Sequence, residues 1–433
     1  MTANVIHLPR PHQARSGPRP LALFVRVGRN DHREMLDLIA TGEQGIFGFI
    51  IEAQYVERHR ELMTEARRRD FDLILDPKTQ PMGLPGGHTA RLAALPWGLE
   101  RHHNITDFEG AAGRTRTAQI VETASANGFT QILGPTHLLS GPNDPWLRRD
   151  IDVMGWTRDS ITASETDLVL IYSLAVPMEV LRKRAERQAL IAAIADAPCD
   201  AIWLKIENFG DDATGEKTVA YIEACRDFHE RGIPVVGDHV GGLPGLGVLA
   251  FGAVGGIAHG VTMHQKFRAA GWRRPPPDAQ RRGGPAWRVY LPQLDMLVKP
   301  AVAQALLGTS TRIRGRYGCR DTHCCPHGVR DMIDRPARHA LYQRAREVEW
   351  LSNTPETLRV VRYLDERVRP VSDDVAAMAG VTGLDEMLQR SLIKKQSDVS
   401  RFRQAMAHLA EAAPPNSVAV PPQRRATRDG RGA

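Results

Sequence analysis

No apolar run in this sequence reaches the roughly 18 residues that a membrane-spanning helix requires, so no membrane span is expected. The first 20 residues are basic and lack the apolar segment of a secretory signal. Neither an internal repeat nor a glycine-rich phosphate-binding fingerprint stands out. What remains is a chain with 42% hydrophobic residues, which is enough for a sizeable core.

Cysteine is scarce, with five residues in 433, yet three of the five lie within seven positions, at Cys319, Cys324 and Cys325. A secreted disulfide framework would spread its cysteines along the chain, whereas clustered thiols are typical of a metal site in a reducing cytosol. We therefore expect a cytoplasmic protein that binds a metal. Cys199 and Cys225 resemble ordinary core or helix residues.

The chain carries 57 Lys and Arg against 50 Asp and Glu, a formal net charge of +7. This excess favours an anionic partner such as nucleic acid. The alternative is that the Pro/Arg-rich tails alone carry the excess, and the sequence leaves both interpretations open. We predict a basic N-terminal tail over residues 1–18 and a disordered basic tail over residues 411–433.

Eight short, apolar, β-prone runs recur and are separated by amphipathic, helix-like stretches. The runs are residues 21–27, 47–53, 71–76, 129–134, 167–174, 201–207, 234–238 and 255–261. Continuous apolar strands that alternate with helices are typical of a parallel sheet covered on both faces. Eight such units in about 240 residues predict a closed (β/α)₈, TIM-like barrel. We place this barrel over residues 19–289 and a C-terminal, zinc-binding helical subdomain over residues 290–410.

Active-site groups of such barrels come from the carboxyl ends of the strands and the loops that follow. Polar residues collect at these predicted ends, namely Glu52, Gln54, Asp76, Lys78, Gln80, Thr136, His137, Tyr172, Lys205, Glu207, Asn208, Asp238, His239 and His259. Asp76 and Asp238 are the candidate catalytic carboxylates, because each ends an apolar strand and precedes glycine-rich backbone that admits a flat ligand. The predicted substrate contacts are Gln80, Lys205, Glu207, His239, Gly241 and Gly242.

The cysteine cluster supplies three of the four soft or borderline ligands that a structural zinc site requires. Three histidines, His323, His327 and His339, follow or interrupt the cluster. We predict His339 as the fourth ligand, because it opens a helix that can fold back onto the cysteines, and His327 is the alternative. Zn²⁺ is therefore the predicted cofactor.

A barrel followed by a zinc element of three cysteines and one histidine resembles the tRNA-guanine transglycosylase superfamily, which includes relatives that insert deazaguanine bases into DNA. Residues 76–80, DPKTQ, look similar to the family's Asp-Ser-Gly-Gly-Phe-Gln segment. Gly241-Gly242-Leu243 is similar to its Gly-Gly-Leu base-binding turn. The resemblance implies that Asp76 recognises the base or handles protons, and that Gly241 and Gly242 line the base.

The chain departs from the family pattern in two places. The last predicted strand, residues 256–260, carries no counterpart of the family's nucleophilic aspartate. Asp238 is therefore the predicted nucleophile, with Asp76 as the base-recognising carboxylate and Gln80 assisting it. His339 also follows the cysteines more closely than the histidine of the family does.

The leading hypothesis is base exchange on tRNA or DNA, in which a carboxylate displaces guanine from its ribose and a deazaguanine-type base replaces it. The partners are then the nucleic acid and a free modified purine-type base. The predicted phosphate contacts are Arg273, Arg274, Arg281, Arg282, Arg312, Arg314 and Arg316.

Two alternatives stay open. The first is a Schiff-base lyase of the class I aldolase type, in which Lys205 is the amine and Tyr172 assists it. The second is a zinc-stabilised, non-catalytic barrel that binds nucleic acid. The sequence decides neither between RNA and DNA nor whether the protein is a homodimer.

Overall fold

The computed structural model describes residues 20–42, 45–274, 287–412 and 418–423. At its centre, eight parallel strands form a closed barrel in sequential order, with β1 hydrogen-bonded to β8. The strands are β1 (Ala22–Val27), β2 (Gly48–Glu52), β3 (Asp72–Asp76), β4 (Gln131–Leu133), β5 (Val169–Pro177), β6 (Ala201–Glu207), β7 (Val235–Asp238) and β8 (Gly256–Gly260). The predicted (β/α)₈ barrel is confirmed, and every strand overlaps its predicted apolar run.

Helices surround the barrel and continue beyond it. Those before β8 are α1 (His32–Ala40), α2 (Arg60–Arg68), α3 (Thr79–Met82), α4 (Ala90–Ala93), α5 (Gly110–Ala126), α6 (Pro145–Ala163), α7 (Met178–Arg182), α8 (Arg184–Ile194), α9 (Gly215–Arg226) and α10 (Gly242–Ala250). Those after β8 are α11 (Ala270–Arg273), α12 (Pro300–Gly308), α13 (Thr311–Tyr317), α14 (Val329–Asp334), α15 (Pro336–Ser352), α16 (Arg359–Arg362), α17 (Arg369–Ala379) and α18 (Glu386–Glu411). A small antiparallel pair, β9 (Val289–Leu291) and β10 (Met296–Val298), lies between α11 and α12.

The inward-facing side chains of the strands form an apolar layer with a polar layer above it. The apolar layer consists of Phe24, Ile50, Ile74, Ile171, Trp203, Val236 and Ala258. Because alternate residues of a strand face the same side, the residues two positions later also point inward, at the carboxyl ends of the strands. Those residues are Arg26, Glu52, Asp76, Ser173, Lys205, Asp238 and, after Ala258, the side-chain-free Gly260. Strand alternation thus places five charged side chains and one hydroxyl at the mouth of the barrel.

Tyr172 and His259 have the opposite alternation and face the helical layer. Tyr172 is buried in the apolar core between barrel and helices, and burial raises its pKa well above the ordinary value. The prediction that Tyr172 assists Lys205 at the mouth is wrong, because Tyr172 and the inward-facing Ser173 occupy opposite faces of β5. His259 is also buried, and burial lowers the pKa of its imidazole to about 4.

The C-terminal helices pack against the barrel. α15 contacts α1, α10 and β9, and α18 contacts α9 and α17. The predicted boundary between residues 289 and 290 falls inside β9, and the division into two domains stays a prediction. No helix among the described residues is long and apolar enough to cross a membrane.

Part of the predicted C-terminal tail contacts the amino-terminal end of the barrel. Within residues 418–423, the amide of Ala419 donates to the carbonyl of Gly252, and Val420 forms a bridge with Pro234. The rest of the tail after α18, residues 413–417 and 424–433, lies outside the described residues, as does the predicted N-terminal tail, residues 1–18.

Candidate functional site at the barrel mouth

At the centre of the mouth, one guanidinium joins the two predicted catalytic carboxylates. Nε and Nη2 of Arg26 donate to the two carboxylate oxygens of Asp238 at 2.7 and 2.5 Å, and Nη1 donates to Oδ2 of Asp76 at 2.7 Å. All three side chains are buried. Burial by itself raises the pKa of each carboxyl, but the neighbouring cations outweigh it, so both pKa values lie below the ordinary range. Asp76 and Asp238 are therefore brought together as anions across Arg26.

Lys205 lies next to this ion triad. Its Nζ donates to Oε1 of Gln80 at 2.7 Å and lies 3.4 Å from Oδ2 of Asp238. The Gln80 amide is itself fixed, because its Nε2 donates to the carbonyl of Ser173 at 2.9 Å. Burial lowers the pKa of Lys205 to about 8, and the charge of Arg26 acts in the same direction. Lys205 therefore titrates close to neutral pH, unlike an ordinary lysine.

The backbone is strained at three of the strand ends. Lys78, Asn208 and His239 have φ values of 60°, 62° and 61°, in the left-handed region that non-glycine residues seldom occupy. Each follows its strand by one or two residues. In the first case the turn lets the amide of Lys78 donate to Oδ1 of Asp76 at 2.9 Å, while its Nζ contacts Oε1 of Glu52 at 2.7 Å. Such strain at the rim of a cavity is typical of functional sites.

A cavity of about 690 Å³ opens above the polar layer. Asp76, Gln80, Lys205 and His239 all line it, together with an aromatic wall of Phe267 and Trp272, whose ring centroids are 5.1 Å apart. Its volume is in the range of small-molecule sites. Asp238 does not line the cavity, and its side chain is 0% exposed. Of the two predicted catalytic carboxylates, Asp76 is therefore the one that a ligand in this cavity would meet.

Three other predicted substrate contacts lie away from this cavity. Glu207 accepts two hydrogen bonds from Arg273, at 2.6 and 2.7 Å. At Gly241 and Gly242, the space beside each Cα atom is filled by the chain itself, by Gln265 and Asp211 respectively. The two glycines thus allow close packing of this chain, and the geometry does not favour their predicted contact with a base.

The predicted metal ligands form one cluster. The ligand atoms of Cys319, Cys324, Cys325 and His339 all lie within 4.8 Å of one another. Nδ1 of His339 is 3.3 Å from Sγ of Cys324 and 3.4 Å from Sγ of Cys325, and the two sulfurs are 3.7 Å apart. A tetrahedral zinc ion with sulfur and nitrogen ligands requires separations of about 3.5–3.8 Å. The donor set is that of a zinc site, and the three printed separations lie within about 0.2 Å of the tetrahedral values.

The alternative ligand His327 lies outside the cluster. It is exposed, and its Nδ1 pairs with the carboxylate of Asp331 at 3.1 Å. His339 is buried, and its Nε2–H donates to the carbonyl of Tyr290 at 2.9 Å, which leaves Nδ1 with a lone pair for the metal. The structure thus brings His339, as predicted, and not His327, to the three cysteines.

Tyr290 connects this cluster to residues on the wall of the main cavity. Its hydroxyl contacts Nη1 of Arg344 and Oε1 of Glu347, both at 2.7 Å. Nη2 of Arg344 also donates to Oδ1 of Asp295 at 3.2 Å, and both Arg344 and Asp295 line the cavity. A chain of hydrogen bonds therefore runs from His339 through Tyr290 to cavity residues.

Arg26 and the Tyr290 network are absent from the predicted site. For Arg26 a signal existed, because it shares the strand face of Ala22 and Phe24 and is the third inward residue of an otherwise apolar strand. For Arg344 and Asp295 there is no comparable signal, since their positions depend on how α15 packs on the barrel.

No family model matches the sequence, and neither does any curated protein sequence. Among solved structures, the chain is similar to the carboxyl transferase domain of Rhizobium etli pyruvate carboxylase, at 11% identity and a TM-score of 0.36. That match covers 91% of this chain and 61% of that domain, so the chain spans about three fifths of the domain's length.

Two further similar structures are a GH10 xylanase from Bispora sp. MEY-1 and thiamine phosphate pyrophosphorylase from Pyrococcus furiosus. The xylanase is 9% identical, with 56% of this chain and 83% of that chain covered and a TM-score of 0.39. The pyrophosphorylase is 16% identical, with 57% and 89% covered and a TM-score of 0.29. At these identities the likeness concerns the fold alone. The chain is a TIM-barrel protein with a Cys₃His cluster, an architecture compatible with many kinds of enzyme.

Proposed function

We propose that the chain is a base-exchange enzyme that removes guanine from a ribose of tRNA or DNA and inserts a deazaguanine-type base. The observation that carries the proposal is the position of Asp76, a carboxylate on the wall of a cavity of about 690 Å³. Phe267 and Trp272 form an aromatic wall of the same cavity. The Cys₃His cluster after the barrel supports the proposal, because the transglycosylase resemblance implies both features together.

In this reaction an oxygen of the carboxylate forms a bond to the anomeric carbon, while the bond from that carbon to the base nitrogen breaks. The base leaves with the electron pair and takes up a proton. The incoming base then attacks the same carbon, loses its proton and releases the carboxylate. The sugar–phosphate chain stays intact throughout.

We assign the nucleophile to Asp76 and not, as the sequence favoured, to Asp238. The lowered pKa of Asp76 keeps its carboxyl group ionised at neutral pH. Among the described residues, the hydrogen bond that its Oδ1 accepts comes from the amide of Lys78. Asp238 has both oxygens bound to Arg26 and no exposed side-chain surface. Its role in this proposal is to position Arg26, which in turn orients Asp76.

A pair of isosteric variants tests the assignment. Wild-type protein mixed with guanine-containing tRNA or DNA is expected to give a covalent adduct on a denaturing gel. Asp76→Asn should abolish the adduct, and Asp238→Asn should weaken it without removing it. Zinc content and circular dichroism of both variants check that the fold is retained. An adduct that survives in Asp76→Asn contradicts the assignment, and a wild-type protein that forms none with either polymer contradicts base exchange.

A second candidate function is supported by the pKa of about 8 for Lys205. In a Schiff-base lyase, the neutral amine attacks a carbonyl carbon and water leaves, which forms an imine. Borohydride treatment in the presence of pyruvate or glyceraldehyde should then add the mass of the reduced adduct to one peptide, the one that contains Lys205. Lys205→Arg should lose the adduct, while Lys266→Arg, a change in the wall of the same cavity, should keep it. No adduct with any carbonyl compound contradicts this candidate.

A further inference from the structure

A second cavity, of about 510 Å³, lies against the Cys₃His cluster and shares no lining residue with the cavity at the barrel mouth. Cys319 is the cysteine of the cluster that lines it. The two described neighbours of its Sγ belong to the same wall, since Nε2 of Gln343 donates to this sulfur at 3.8 Å and the carbonyl oxygen of Asp321 lies 3.9 Å from it. The cavity therefore gives access to the cluster on the side of Cys319.

Exposure divides the five cysteines of the chain into two groups. Cys199 and Cys319 are half-buried, whereas Cys225, Cys324 and Cys325 are buried. A reagent in solution therefore meets one of the two half-buried residues first. Cys319 has other sulfurs at hand, because the ligand atoms of the cluster lie within 4.8 Å of one another, and Cys199 is not part of this cluster.

The two half-buried cysteines also differ in the form that reacts. The nucleophile is the thiolate and not the thiol. Burial raises the pKa of Cys199, so its side chain stays a thiol at neutral pH. A cysteine that binds a metal ion is deprotonated, so Cys319 is a thiolate when the cluster is occupied. An accessible thiolate with a second cysteine beside it is the arrangement typical of redox-sensitive sites.

We propose that Cys319 is a modification site, at which hydrogen peroxide oxidises the cluster. The sulfur of Cys319 forms a bond to one peroxide oxygen while the O–O bond breaks, and the hydroxide that leaves takes up a proton to become water. The product is a sulfenic acid. The sulfur of Cys324 or Cys325 then attacks the sulfur of Cys319, the S–O bond breaks, and a second hydroxide leaves and is protonated.

The product of this sequence is a disulfide that removes two of the four metal ligands. A bound zinc ion should therefore be released, and a dithiol reductant should restore the ligands. The proposal goes beyond base exchange and does not depend on it, because the second cavity and the cluster lie apart from Asp76.

The cleavage pattern of trypsin separates the relevant cysteines. Trypsin cuts after Arg320, between Cys319 and the two adjacent cysteines. A disulfide from Cys319 therefore links two peptides, residues 317–320 and 321–330, whereas a disulfide between the adjacent cysteines stays within one peptide. Mass spectrometry distinguishes the two products directly.

The test treats full-length protein with hydrogen peroxide and blocks the remaining thiols with N-ethylmaleimide in denaturant at increasing times before digestion. The linked peptide pair should be the first cysteine product, and zinc captured by a chromogenic chelator should appear at the same rate. Cys199 should be oxidised at least about tenfold more slowly than Cys319, because its raised pKa leaves little thiolate. In urea-unfolded protein without zinc this preference should disappear, and a preference that persists there overturns the proposal.

A pair of variants tests the role of the Cys319 sulfur. Cys319→Asp keeps an oxygen ligand for zinc but has no sulfur, so the linked pair should be lost and the release of zinc by peroxide should be slowed. Cys199→Ser, a change at the other half-buried cysteine, should leave both readouts unaltered. The peptide map of the wild type is decisive even if Cys319→Asp fails to fold.

Three results overturn the proposal. They are a disulfide confined to residues 321–330 while Cys319 stays reduced, oxidation of Cys199 at the rate of Cys319, and a cluster that peroxide leaves unmodified. Peptide masses and zinc release are independent of the covalent adduct on the denaturing gel. Failure of this modification site and failure of base exchange are therefore distinguishable.

Discussion

Arg26 is the single residue on which the geometry of the mouth most directly depends. It is a buried cation between two buried anions, and the three side chains exchange three hydrogen bonds of 2.5–2.7 Å. Buried charges are tolerated only when they are paired, because their desolvation is offset by the partner. Removal of the cation would leave Asp76 and Asp238 facing each other at low exposure, where two negative charges repel.

Arg26→Met is therefore expected to lower the free energy of unfolding at pH 7 by about 3–5 kcal/mol. In the wild type the pKa of Asp76 and of Asp238 is lowered, so their contribution to stability is present above the ordinary carboxyl range, about pH 4, and is lost as the pH falls through the folded values. In the variant the two carboxyls are buried without the cation, so they take up protons at higher pH and the repulsion is relieved.

The stability difference between wild type and Arg26→Met should consequently shrink from pH 7 to pH 4 in urea unfolding experiments. Arg60→Met is the matched control, since that arginine is 70% exposed and pairs with Glu57 on the surface. Its effect should be below about 1 kcal/mol at both pH values. An equal loss of stability at pH 7 and pH 4 in Arg26→Met would show that charge pairing is not the cause.

The titration of Lys205 is a second expectation at this scale. Protein labelled with [ε-¹³C]lysine should show one NMR resonance with a midpoint near pH 8, because burial disfavours the ammonium form. The resonance should be missing in Lys205→Arg and present in Lys266→Arg. A lysine spectrum in which every midpoint lies near the ordinary value of about 10.4 would refute the depressed pKa.

At the scale of elements, the sequence predicts strands well and side-chain partners poorly. β6 is predicted at its observed bounds, Ala201–Glu207, because a continuous apolar run specifies a strand buried on both faces. β5 extends beyond its predicted end to Pro177, where its residues pair with those of β6. The partner of His137, the carboxylate of Asp150 at 2.8 Å, was not predictable, because Asp150 lies in the amphipathic α6 and reaches the imidazole only when that helix packs on the barrel.

Helix α15 joins two sites that are separate in the sequence. His339 in its first turns binds the cysteine cluster, and Arg344 and Glu347 farther along contact the hydroxyl of Tyr290. The carbonyl of the same tyrosine accepts the Nε2–H of His339. Hydrogen bonds through Tyr290 thus connect Arg344, on the wall of the main cavity, with a cluster whose donor set is suited to a metal ion.

Freshly purified protein should contain about one zinc per chain by elemental analysis. Removal of the metal by a chelator under reducing conditions should increase hydrogen–deuterium exchange in β9 and the first turns of α15, because His339 loses its fixed position. Exchange in β3 and β6 should stay unchanged, since the hydrogen bonds described for the four cluster residues involve neither strand. Cys325→Ser should reproduce this pattern, whereas Cys225→Ser, remote in the buried core, should leave the zinc content unaltered.

At the scale of the whole molecule, the formal net charge is +7. Some of the arginines among the described residues are paired with carboxylates, and others are exposed. Two of the arginines predicted to contact phosphates are paired with carboxylates in the structure, Arg273 with Glu207 and Arg316 with Asp374. Arg281 and Arg282 lie outside the described residues. On α13, Arg312 and Arg314 are exposed, and they are the remaining candidates there for a contact with a polyanion.

This distribution leads to a quantitative expectation for nucleic-acid binding. Each phosphate contact releases condensed counterions, so the slope of log K against log salt concentration changes by about 0.9 per contact on duplex DNA and about 0.7 on single strands. The double variant Arg312→Gln, Arg314→Gln should therefore make this negative slope shallower by about 1.4–1.8 units and weaken binding at low salt. A matched double variant, Arg346→Gln, Arg362→Gln, removes one exposed and one half-buried arginine, which pair with Glu349 and Glu366 three and four residues farther along the chain. It loses the same charge away from α13, so its slope should stay close to that of the wild type.

Equal slopes for the two double variants would mean that the total charge, and not α13, governs binding. A wild-type affinity that does not vary with salt would rule out phosphate contacts altogether.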